Sequence, residues 1–232
     1  MNIRGIYKTS LIDFPGRICT VLFTGGCNLR CGYCHNPDLV ADARGLERIS
    51  DEEALALIRK RKNLIDGVTL TGGEPTLSTR IDPFLAQIKE LGLAVKLDTN
   101  GLRPSVLARC IEQKLIDYSA IDIKTSPGKY PSVTNRDVDF GLIAESVDIL
   151  RTAGIEYEVR TTCVPGHVTR DDLAEIRDAI GRVSAYYLQQ FQRDVPLLDP
   201  SWQSIEPYPA ETLLGFREFV STFSDRCEVR GI

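Results

Sequence analysis

"RICTVLFTGGCNLRCGYCHNP", residues 17–37, runs an apolar, alternating stretch straight into a loop that carries Cys27, Cys31 and Cys34. The first ten residues read as a buried strand, and the loop puts three cysteines within eight positions of a chain that holds seven. Outward from there, strand and helix patterns alternate. A helix is expected in "SDEEALALIRKRKNLID" (50–66), with Ser50 and Glu53 spaced as a capping box. "GVTLTGGEP" (67–75), "LAVKLDTNG" (93–101), "DYSAIDIK" (117–124), "EYEVRTTCVPG" (156–166) and "SAYYLQQF" (184–191) read as further strands. Helical stretches in 80–92, 104–115, 142–154 and 169–182 separate them, and a helix near 210–223 and a short strand at 227–231 follow. About six strand–helix units imply an α/β fold with a parallel sheet, either an open doubly wound sheet or a complete or partial barrel. In both, functional groups gather at the carboxyl ends of the strands. "TGGCNLRC", "TGGEPT", "LDTNG", "DIKTS" and "RTTCVPG" all fall where a strand ends.

The bulk properties narrow the function. At 232 residues, with 43% hydrophobic and 26% charged residues, the chain suits one sizeable core. A net charge of −4 and the lack of a basic face argue against a nucleic-acid partner. The start "MNIRGIYKTSLIDFPGR" lacks a continuous apolar stretch, and no run approaches a membrane span. The expected location is the cytoplasm, where thiols stay reduced and clustered cysteines point to metal or catalysis.

Thiolates are soft ligands for zinc, copper(I) and iron–sulfur clusters. A structural zinc site wants four protein ligands, usually as two spaced pairs, whereas one C-x3-C-x2-C stretch stands alone here. His35 directly follows Cys34, so the two would compete for orientation around one metal. Cys19, Cys110, Cys163 and Cys227 are scattered; Cys19 and Cys110 read as small core residues, although any of the four is a conceivable remote ligand. Three thiolates suit a 4Fe–4S cluster with one iron left open for chemistry.

C-x3-C-x-aromatic-C, with Tyr33 as the aromatic residue, resembles the hallmark of the radical S-adenosylmethionine (SAM) superfamily. The resemblance implies a partial (β/α)6 barrel in a single domain. It divides the chain into an N-terminal segment near the active site (1–17), a core (18–192) and an extension packed on the same domain (193–232). It implies a cluster on Cys27, Cys31 and Cys34 whose open iron chelates SAM, with Tyr33 near the adenine and His35 in the same pocket. "TGGEPT" (71–76) resembles the motif that holds the methionyl amino group. There Gly72 and Gly73 admit a close ligand, and Glu74 accepts from an ammonium. "LDTNG" and "IDIK" resemble glycyl-radical-enzyme activases, which implies a monovalent cation near Asp98, Thr99 and Asp122 and a cofactor contact for Lys124. Arg160 matches a pocket arginine, with an ordinary ion pair equally open. Where pyruvate formate-lyase activase ends its sixth strand in a histidine, Gln192 stands here, so the adenine contact differs. His167 is expected to be a solvated turn residue.

"SLIDFPG" (10–16), "CGYCHNPDL", "DTNG" and "VPG" are together most similar to the activating protein of anaerobic (class III) ribonucleoside-triphosphate reductase. That implies reduction by flavodoxin or ferredoxin, cleavage of SAM, and hydrogen abstraction from a glycine of a partner enzyme. The alternatives are an activase of another glycyl radical enzyme, a radical SAM enzyme with a small-molecule substrate, and a non-catalytic iron–sulfur or zinc redox module. The proline- and aromatic-rich stretch 196–209 reads as either a docking loop or, preferably, a packed connection.

Overall fold

A computed structural model describes residues 1–40 and 45–232. Among them, eight strands form one sheet in chain order: β1 (Ile3–Ser10), β2 (Cys19–Thr24), β3 (Gly67–Gly72), β4 (Ala94–Thr99), β5 (Tyr118–Asp122), β6 (Glu156–Cys163), β7 (Val183–Gln190) and β8 (Ser224–Arg230). β1 is antiparallel to β2, while β2–β3–β4 and β6–β7–β8 run parallel. Between them lie α1 (Pro37–Val40), α2 (Asp51–Arg61), α3 (Ile81–Glu90), α4 (Pro104–Glu112), α5 (Tyr130–Thr134), α6 (Phe140–Ala153), α7 (Arg170–Ile180) and α8 (Ala210–Val220). This is the expected α/β class, and the open, mostly parallel sheet is in line with a partial barrel. No helix among the described residues is long and apolar enough to cross a membrane.

The chain divides into two compact units: residues 1–28, 38–99 and 105–119 in the first, and 29–37, 100–104 and 120–232 in the second. In the first, every β4 residue from Ala94 to Thr99 is buried, as helix-covered parallel strands require. The capping box of α2 forms as its spacing predicts: Glu53 N–H donates to Ser50 Oγ, and Ser50 N–H to the Glu53 carboxylate. β1 has no clear strand period in the sequence, because exposed residues at Tyr7, Lys8 and Thr9 blur it. Its antiparallel course pairs Ile3 with Thr24 and Ser10 with Cys19. Only the beginning of segment 1–17 therefore reaches the carboxyl end of β2. "SLIDFPG" lies at the other end, where Phe14 packs on Cys19, Val21, Ala94 and Tyr118.

In the second unit, α7 carries its own capping box between Thr169 and Asp172, and α6 starts on Asp139 and ends on a left-handed Gly154. Its most buried apolar residues include Ile121, Val147, Leu150, Val159, Leu173, Ile176, Leu188 and Leu213, each at most 1% exposed.

Candidate functional site

In the first unit, the polar signatures of β2, β3 and β4 interlock through backbone and side chain. Gly73 N–H donates to Thr24 O at 2.7 Å and Glu74 N–H to Gly26 O at 2.8 Å, so the Gly-Gly-Glu turn is stitched to two of the three residues before Cys27. The turn needs its glycines. Gly72 has φ +113°, and a Cβ on Gly73 would stand 2.0 Å from Gly26 O. Glu74 is 2% exposed, and its Oε1 accepts from Thr76 N, Thr76 Oγ1 and Thr99 Oγ1 at 3.1, 2.6 and 2.8 Å. Thus Glu74 and Thr99, predicted separately, meet. Asp98 is held by the ammonium of Lys96, which is buried two residues earlier on the same face of β4. Lys96 carried no sequence signal; an apolar neighbour on each side hid it.

In the second unit, Asp122 lies between Arg160 Nε at 2.7 Å and Lys124 Nζ at 3.2 Å. Burial opposes its charge, but Arg160 and Lys124 outweigh burial and hold the carboxyl well below the usual range. Burial likewise opposes the Lys124 ammonium, and Asp122 followed by Cys31 drives its pKa up. Arg160 continues to Glu158 at 3.8 Å, and Glu158, 1% exposed, receives both Nη groups of Arg230 at 3.1 Å. The ion pair open for Arg160 is therefore present, and it extends to Arg230 near the C-terminus, which carries no site signal in the sequence.

Cys31 and Tyr33 are buried, while Cys34 is partly exposed. Burial pushes the Cys34 thiol up, against Lys124 and Arg30. The Tyr33 hydroxyl is buried without a hydrogen-bond partner. Burial lowers the His35 pKa, opposed by the nearby backbone of Gln192, which puts these two predicted residues close together. His167 is the turn residue expected but is only partly exposed, because its ring stacks on Trp202 at 4.4 Å with planes 17° apart. Cys19, Cys110 and Cys163 are each 0% exposed, and burial raises all three thiols, Cys110 and Cys163 to about 12. They are core residues.

Among the described residues, no three His, Cys, Asp or Glu side chains are already gathered as a metal group. The donor chemistry nonetheless fits an iron–sulfur cluster: three thiols share one loop, a glycine cradle flanks the first, and an unpartnered phenol lies buried beside the third.

The sequence pattern that defines the radical SAM superfamily matches residues 21–180. A Methanocaldococcus jannaschii protein, provisionally named a glycyl-radical enzyme activating enzyme, is 34% identical over 199 residues, covering 82% of this chain and 80% of its own. The pyruvate formate-lyase-activating enzyme of Clostridium pasteurianum is 41% identical over 105 residues, 43% of each chain. Among solved structures, Streptococcus suis SuiB matches with a TM-score of 0.68 at 17% identity, over 91% of this chain and 48% of its own. TYW1 matches at 0.62 and 14% identity, over 89% and 74%. The chain thus spans about half the length of SuiB, and at these identities the two structures speak for the fold alone. The interlocked strand ends, the cysteine loop and a match across most of the sequence agree: this chain belongs to the radical SAM superfamily.

Proposed function

We propose that this enzyme is an activase that generates a glycyl radical on a partner enzyme, with Cys27, Cys31 and Cys34 holding its 4Fe–4S cluster. The observation that carries the reading is the 34% identity to the archaeal relative, which extends over four-fifths of both chains. When bound, the cluster and SAM supply the one-electron chemistry that makes a carbon radical. The protein's own residues bind, orient and exclude water. Glu74, fixed by Thr76 and Thr99, offers a buried carboxylate to the methionyl ammonium, and Gly72 and Gly73 let the ligand approach the backbone. Lys124 and Arg160, both locked on Asp122, keep a fixed positive charge for the acidic end of SAM. Tyr33, His35 and Gln192 border the adenine. A monovalent cation beside Asp98 and Asp122 belongs to the same reading, although Lys96, Lys124 and Arg160 already neutralise those carboxylates.

The partner we favour is anaerobic ribonucleoside-triphosphate reductase, on the strength of the "YCHNP" pattern (33–37), with flavodoxin or ferredoxin as electron donor. The local 41% identity to a pyruvate formate-lyase activator favours that partner type as the second reading. The test is anaerobic reconstitution with iron and sulfide, reduction by dithionite, and assay of 5′-deoxyadenosine beside Cys31→Ala. Electron paramagnetic resonance then follows each candidate partner. Product together with a glycyl-radical signal on the reductase alone supports the favoured partner. Product with a signal only on the lyase transfers the assignment, and a loaded protein that makes no product with either partner overturns the activase reading. Repeating SAM binding in potassium and in tetramethylammonium chloride decides the cation.

A further inference from the structure

The stretch 196–209, read from sequence as a connection or a docking loop, lies along the second half of the cysteine loop. Leu198 N–H donates to Cys34 O at 3.2 Å and Asp199 N–H to Gly32 O at 3.0 Å. Gly32 N–H is itself taken by Val133 O at 3.1 Å, so the peptide between Cys31 and Tyr33 is held from two sides. The Asp199 carboxylate then accepts from Ser201 N and Oγ at 3.0 and 2.7 Å, capping the single turn Pro200–Ser204. That turn aims Trp202, 8% exposed, onto the loop. Its indole Nε1 and Cε2 stand 2.3 Å from where a Gly32 Cβ would be, and its ring lies 5.9 Å from that of Tyr33. His167 covers the indole's face, and Leu197, next to the Leu198 that bonds Cys34 O, is buried too.

These contacts concentrate on residues 32 to 34, the stretch that follows the second proposed ligand and ends on the third. A glycine there would otherwise leave the loop free to turn. We propose that residues 196–204 are a strap that keeps the second and third cysteines in register for the cluster, with Trp202 as its positioning residue. The inference rests on the cluster assignment to Cys27, Cys31 and Cys34. An apolar cover beside a metal group also controls water access to it, and groups of this outer layer govern how tightly the metal is kept.

The test uses the anaerobically reconstituted full chain and reads iron and sulfide per chain and the half-life of iron loss to a chelator below the melting temperature. Trp202→Ala should lose iron on the order of tenfold faster than wild type, the scale of outer-layer substitutions at metal sites. Trp202→Phe, which keeps an aromatic cover, should stay within a few-fold of wild type. Gly32→Ala should match Trp202→Ala, because its methyl expels the indole, and the double variant should be no worse than either single one. Trp202 is the chain's only tryptophan, so its emission reports the strap directly. Emission should fall when the cluster is loaded, and shift to the red in Gly32→Ala. Equal half-lives for wild type and Trp202→Ala at equal cluster content would overturn the strap and leave the cluster assignment intact. A wild type that retains no iron, or iron retained equally by Cys31→Ala, would overturn the cluster assignment and the strap with it. Should Trp202→Ala not fold, the Gly32→Ala half-life and emission decide the matter in its place.

Discussion

Replacing Gly73 by alanine tests whether the Gly-Gly-Glu turn is built by close backbone approach. The new methyl would meet Gly26 O at 2.0 Å and Gly26 C at 2.7 Å, both backbone atoms that no rotamer change can move. An ordinary carbon–oxygen contact is about 3.3 Å, so the two strand ends must part by roughly 1.3 Å. Overpacking of this kind costs about 1–3 kcal/mol, and the bond from Glu74 N–H to Gly26 O is worth about 1 kcal/mol more. For a chain of this size the combined loss of about 2–4 kcal/mol lowers the melting temperature by about 5–15 °C. The control is Gly215→Ala in α8, where a Cβ meets nothing within 4 Å. It should stabilise by up to about 1 kcal/mol through helix propensity. Thermal denaturation followed by circular dichroism reads both. A Gly73→Ala protein melting within about 2 °C of wild type, beside a normally behaved control, would refute the close-approach argument.

Arg230→Gln removes the bidentate partner of buried Glu158 and should cost about 2–3 kcal/mol in urea unfolding, with Arg230→Lys recovering only part because a point charge cannot fork. Asp172 accepts from Ser126, Lys129 and Thr169; burial opposes its charge, but those bonds hold its carboxyl below the usual range. Its contribution is therefore present above about pH 4 and lost as pH falls through the depressed folded value, so Asp172→Asn should flatten the acid limb of a stability–pH profile and cost about 2 kcal/mol at pH 7. His167 has its pKa lowered by burial and then by Lys129, with Asp172 opposing. Its unfolded form takes a proton first, so stability should decline as pH drops below about 6.5, and His167→Phe, which preserves stacking on Trp202, should reduce that decline. Unchanged profiles in chemical denaturation, across about pH 2–5 for Asp172→Asn and about pH 5–8 for His167→Phe, would refute the two pH assignments.

Much of this protein is written locally. Cysteine spacing, the glycines before Glu74 and the Ser50–Glu53 box act over a few residues, so a linear reading finds them and the strand ends they occupy. The alternation of helix and strand fixed the α/β class by the same logic, since each period reflects which face a segment buries. Other features depend on partners distant in sequence. Whether Arg160 is paired was decided by Asp122, 38 residues earlier, and the Glu158 it also approaches is shared with Arg230, 70 residues beyond Arg160 and brought there only by β8. The direction of β1 was set by its antiparallel register against β2, which sends Ser10 and Phe14 away from the cysteine loop. Trp202 gave no signal beyond its rarity, because its meaning lies in the Gly32 surface it covers. Sequence alone determined the chemical groups and the order of the elements that carry them. Which charges are neutralised and which loop is held fast was left to tertiary packing, because desolvation and steric contact act only between surfaces that folding has brought together.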